Sequence, residues 1–73
     1  MGLHARRLAA MERLVTNPSP AITAYLRNYR RNLAKIESDD DTAFMTALAS
    51  GAVLWGALTD DEKVLLNTIN QEN

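Results

Sequence analysis

Between Pro20 and Glu37 the sequence sets Ile22, Tyr25, Leu26, Tyr29, Leu33 and Ile36 at steps of three and four. On a helix these fall in a stripe about 100° wide, the pattern of an element with one buried face. The residues just before it act as punctuation. Pro18 disfavours helical backbone at Asn17, Ser19 can cap a helix start, and Pro20 suits the first helical turn. The spacing therefore predicts a helix from about Pro20 to Glu37, with Arg27, Arg30, Arg31 and Lys35 on the side away from the stripe. No acid lies between Pro20 and Ile36, so these cations have no partner one turn away on their own helix.

Three further helices frame this one. Residues 3–15 place Leu8, Met11 and Val15 on one face, Leu3 and Leu14 at its margin, and Arg6 and Arg13 opposite, with an end expected near Thr16. Ser38-Asp39-Asp40-Asp41 reads as a loop closing on a capping aspartate, which opens a helix from about Thr42 to Ala57. Phe44, Met45, Leu48, Val53, Leu54, Trp55 and Leu58 surround most of that helix and leave only a strip of Thr42, Thr46 and Ser50. Apolar character on nearly every side predicts a central, buried helix. Gly51 and Gly56 weaken it by about 1 kcal/mol each relative to alanine, which suggests close helix contact or a bend. Thr59-Asp60-Asp61-Glu62 has the form of a capping box and starts a last helix, with Val64, Leu65, Leu66 and Ile69 as its apolar positions and fraying after about Asn70. The expected fold is all-α: a compact array of four short helices in a single domain spanning residues 1–73, orthogonal or bundle-like.

Length limits what this domain can do. At 73 residues the buried core is small and stability marginal, and the usual reinforcement by disulfides is closed to a chain without cysteine. The same absence removes thiolate metal sites and cysteine nucleophiles, and it suits a cytoplasmic setting. The single histidine, His4, reads as a surface residue at a frayed terminus. Asp39-Asp40-Asp41 and Asp60-Asp61-Glu62 lack the spacing and glycine of a calcium loop and stand where helix starts attract carboxylates. No phosphate-cradling loop is present, so no catalytic, cofactor or metal residues are assigned and a non-enzymatic role is expected.

Targeting signals are not expected either. The first stretch is interrupted by arginines and has no apolar run of a secretory leader, and the Met1-Gly2 start carries Arg6 where myristoylation requires Ser or Thr. Residues 43–58 would reach about 24 Å as a helix, short of the roughly 30 Å of a bilayer core, so no membrane partner is expected.

Charge divides the chain. Residues 1–37 sum to +5 and residues 38–73 to −6, although the whole is only −1. Such asymmetry concerns partners rather than fold, unless the halves pack and neutralise each other. A basic helix with interleaved tyrosines is a nucleic-acid footprint, but Tyr25 and Tyr29 lie in the apolar stripe and read as core residues with hydroxyls at the edge. Residues 58–69 look like the opening helix of a helix-turn-helix, yet no recognition helix follows before Asn73. Trp55, the only tryptophan, reads as core and otherwise as an anchor for a partner.

The whole profile, a tiny cysteine-free helical chain with divided charge and no catalytic set, resembles the small phage-encoded proteins that bind and inhibit host machinery, among them inhibitors of bacterial RNA polymerase. The resemblance is one of size and character over the whole chain and transfers no residue. It implies a stoichiometric inhibitor that occupies subunit or sigma-factor contacts by shape and charge. Three readings result: a regulator that contacts a larger protein partner through Arg6, Arg7, Arg27, Arg30, Arg31 and Lys35; a small nucleic-acid-binding protein using the same basic face; and a homodimer that buries the apolar surplus of the third helix.

Overall fold

Ser19 accepts a hydrogen bond from the Ile22 amide at 3.1 Å, Pro20 occupies the first turn, and the helix they start, α2, runs Pro20–Ile36. It is the platform of the molecule. Before it comes α1 (Leu3–Leu14), and after it α3 (Asp41–Gly56) and α4 (Asp60–Gln71). The computed structural model describes residues 2–72, and the four helices form one all-α domain. Its principal extents are 33 × 25 × 16 Å, a flat body two helix layers thick.

Local chemistry accounts for the helix starts. Asp40, rather than the adjacent Asp41, caps α3 by accepting from the Ala43 amide at 3.1 Å; Asp41 then sits in the first turn, where the helix dipole favours its charge. At α4 the capping box forms: Thr59 Oγ1 accepts from the Glu62 amide at 3.2 Å, and Glu62 accepts from the Thr59 amide at 2.8 Å. The other oxygen of Glu62 accepts from the Ser19 hydroxyl. One carboxylate thus ties the starts of α2 and α4 together, and the bonds it accepts from the Ser19 hydroxyl and the Thr59 amide hold Glu62 below the usual carboxylate range, the Ser19 bond most strongly.

The main core joins α1, α2 and α4. Leu8, Ala10 and Met11 pack with Ile22 and Leu26, and with Leu58, Leu66 and Ile69. Met11 and Leu66 are fully buried. The margins differ from expectation in three places. The first helix ends at Leu14, because Val15 is already extended; Val64 and Leu65 of α4 are exposed; and His4 lies within α1, half-buried rather than at a loose surface end.

The larger correction concerns α3. It packs mainly on α2 and lies at the edge of the domain, not at its centre. Ala47 is its only fully buried residue, while Met45 is 62% and Val53 74% exposed. The reason is that α1 and α4 cover each other and one flank of α2, which leaves α3 one main neighbour for an apolar surface that runs nearly all round. The surface totals 4908 Å², above the about 4,500 Å² typical of a monomer of 8.1 kDa.

Candidate interaction surface

Two features of the surface stand out, and both depend on how α2 is flanked. On one side α1 and α3 rise from α2 like walls, and the space between them is a groove of about 350 Å³. Tyr25, Asn28, Tyr29, Asn32 and Ile36 form its floor; His4 and Arg7 stand on the α1 side, and Ala47, Leu48, Gly51, Ala52 and Trp55 on the α3 side. Four rings run along it in sequence. His4 and Tyr29 have centroids 6.4 Å apart, Tyr29 and Tyr25 6.1 Å in an edge-to-face arrangement, and Tyr25 and Trp55 5.4 Å. Only Phe44 among the chain's aromatic side chains is missing from the row.

Polar contacts set the order of this groove. His4 Nδ1 and the Tyr29 hydroxyl share a hydrogen bond of 3.2 Å. Asn32, 7% exposed, donates to the Asn28 carbonyl at 3.0 Å and to Asn28 Oδ1 at 2.9 Å, while Asn28 donates to Ser50 of α3 at 3.5 Å. Burial holds both phenols above the ordinary tyrosine range; at Tyr29, Tyr25 adds to the rise, Arg7 opposes it and Glu37 adds to it. Both hydroxyls therefore stay protonated and able to donate. The two tyrosines and Trp55 are half-buried: they pack against the core with one side and line the groove with the other.

The groove continues onto the outer face of α3. Met45, Leu48, Ala49, Ala52, Val53 and Gly56 are all exposed and share that face at helical spacing. A Cβ added at Gly51 or Gly56 would meet nothing within 4 Å. The glycines expected to serve close helix contact therefore serve none within this chain.

The basic residues do not form one patch. All six, Arg6, Arg7, Arg27, Arg30, Arg31 and Lys35, are exposed, but they stand in three settings. Arg27, Arg31 and Lys35 follow one another at four-residue steps and make a ridge along α2. Arg30 is held by Glu12 of α1 through two hydrogen bonds, Nε at 3.1 Å and Nη2 at 2.5 Å, beside a second hollow of about 420 Å³ that Arg27 also lines. Arg7 belongs to the groove, and Arg6 lies on the exposed side of α1. The Arg30–Glu12 pair is the only ion pair among the described residues. The two halves of the chain do pack, α2 on α3 and α1 on α4, without any direct charge pair between them among those residues.

Sequence reasoning found the basic residues but not the groove, since its rings come from three helices and the His4–Tyr29 contact spans 25 positions. The acidic runs carry caps: Asp40 and Glu62 are each engaged at a helix start, and no three His, Asp or Glu side chains among the described residues are placed to hold a metal ion. No described helix is long and apolar enough to cross a membrane. Comparison with protein-family models, with curated proteins and with solved structures found no match to this chain.

Proposed function

We propose that this chain is a non-enzymatic regulator that acts in the cytoplasm by binding a larger protein through the outer face of α3. The observation that carries this reading is the uncovered apolar surface of Met45, Leu48 and Val53, on a helix that packs mainly on one neighbour. Contiguous exposed apolar surface on a soluble domain marks an interaction site. The ridge of Arg27, Arg31 and Lys35 supplies charge for steering toward an acidic partner more than it supplies affinity. The resemblance in size and character to phage inhibitors makes bacterial RNA polymerase the first partner to try.

The test uses tagged wild type, a Met45→Asp/Val53→Asp variant and an Arg27→Ala/Arg31→Ala/Lys35→Ala variant as baits in bacterial lysate, with and without nuclease. Each is also added to single-round transcription by purified bacterial RNA polymerase. A nuclease-resistant protein partner lost with the α3 variant supports the proposal, and stoichiometric inhibition of transcription would name the polymerase. A second reading, nucleic-acid binding, is favoured by the ridge alone, whose three cations have no acidic partner among the described residues. It would be contact with phosphates without base stacking, because Tyr25 and Tyr29 face the groove on another side of α2. Recovery of nucleic acid only, lost with the ridge variant and with a salt slope of roughly −0.9 per phosphate, would replace the first reading by this one.

A further inference from the structure

We propose that the groove between α1 and α3 is a binding site for a small aromatic carboxylate, its rings against Tyr25 and Trp55 and its carboxylate at Arg7 and His4. Size, lining and charge point the same way. A volume of about 350 Å³ lies within the roughly 300–1,000 Å³ of small-molecule sites. Three aromatic rings offer faces and edges to a planar ligand, and Ile36, Ala47, Leu48 and Ala52 complete an apolar lining. The polar groups gather at one end: Arg7, His4 and the protonated Tyr29 hydroxyl.

Arg7 is the selective element. Its guanidinium pairs with no carboxylate among the described residues, and Glu37, whose charge reaches the Tyr29 hydroxyl, packs over Gly2 and does not itself line the groove. A guanidinium free to accept a planar carboxylate offers two parallel N–H donors, a geometry that a neutral ligand cannot match. At the floor, Asn32 Oδ1 accepts from no protein group among the described residues, so a ring N–H or hydroxyl on the ligand has an acceptor there. Gly51 keeps the α3 side open. A side chain at that position would project into unoccupied space rather than into the protein.

The site goes beyond the protein-contact reading and is tested apart from it. Sodium 2-naphthoate and its neutral carboxamide are titrated into ¹⁵N-labelled protein, followed by amide shifts and the Trp55 indole N–H. The expected result is saturable shifts at Arg7, Tyr29, Asn32, Gly51 and Trp55, with the carboxylate bound about tenfold more tightly than the amide. Arg7→Gln, at an exposed position, should erase that difference by lowering the carboxylate affinity to about that of the amide. Gly51→Leu should weaken both ligands about tenfold or more by filling the groove, and should keep the dispersion of the wild-type spectrum. Met45→Asp/Val53→Asp should bind naphthoate as wild type does, so loss of the protein partner in that variant leaves this site standing. Equal affinity for the two probes, shifts confined to Met45, Ala49 and Val53, or no saturation at millimolar ligand would overturn the proposal.

Discussion

Replacing Gly51 with alanine should stabilise the protein, and the reason lies in what surrounds the position. Gly51 stands in the interior of α3, with helical backbone and no positive φ, so alanine adopts its conformation without strain. The added methyl meets nothing within 4 Å, so no contact has to give way. What remains is intrinsic preference. Glycine in a helix interior costs about 0.8–1.0 kcal/mol relative to alanine, because the unfolded chain loses more freedom at glycine when the helix forms. Scaled to a domain of this size, that is an increase of about 4–8 °C in melting temperature. Gly56→Ala, at the last residue of the same helix, should give only a few tenths of a kcal/mol, since terminal positions count less.

The assay is thermal unfolding followed by helical circular dichroism, at protein concentrations spanning two orders of magnitude, with urea titration at 25 °C as a check that the slope is unchanged. A Gly51→Ala variant that melts lower than wild type would refute the reasoning. It would mean that the space beside Gly51 is occupied in solution, and a wild-type melting temperature that rises with concentration would identify the occupant as a second copy packed on α3. A concentration-independent melt with the expected rise fits an open face.

Leu66 is 0% exposed at the junction of α1 and α4, and Leu66→Ala should cost about 2–5 kcal/mol, a large share of the roughly 4–11 kcal/mol available to a domain of this length. Chemical denaturation of the variant should therefore begin with little or no folded baseline; a well-folded variant would show that the core does not depend on this contact. Glu62 has its pKa lowered by the Ser19 and Thr59 hydrogen bonds, so its contribution is complete above the unfolded value of about 4.3 and disappears as pH falls through the lower folded value. Between pH 6 and pH 2.5 the melting temperature of wild type should fall further than that of Glu62→Gln, which keeps the capping box but does not titrate; parallel profiles would be inconsistent with that link. Arg30→Ala removes an ion pair whose arginine side chain is 67% exposed, and equilibrium unfolding should register little or no change in midpoint.

The parts of this fold that could be read from sequence are those fixed by neighbours within one or two turns. Ser19-Pro20 and Thr59-to-Glu62 start their helices where capping chemistry places them, and the stripe of α2 buries Ile22, Leu26 and Ile36 as its period requires. What the sequence did not show depends on residues far apart. The Glu12–Arg30 pair, the bridge from Ser19 to Glu62 and the contact of His4 with Tyr29 join different helices, at separations of 18, 43 and 25 residues. Tyr25 and Tyr29 were legible as members of the stripe, but not as its edge, because the edge exists only once α3 is placed beside them.

The misplacement of α3 has a physical cause that also bears on function. An apolar surface nearly all round a helix records how much cover that sequence favours, whereas the position of the helix depends on how many neighbours the rest of the chain can supply. Here α1, α2 and α4 satisfy one another with Leu8, Met11, Leu26, Leu66 and Ile69, and α3 is left with α2 as its main cover. Local pattern and global packing therefore conflict most strongly at α3, and such conflicts concentrate where a protein does its work. Each further Å² of α3 removed from water contributes about 25 cal/mol. A ligand in the groove or a protein on the outer face gains most by covering the side that this chain leaves open.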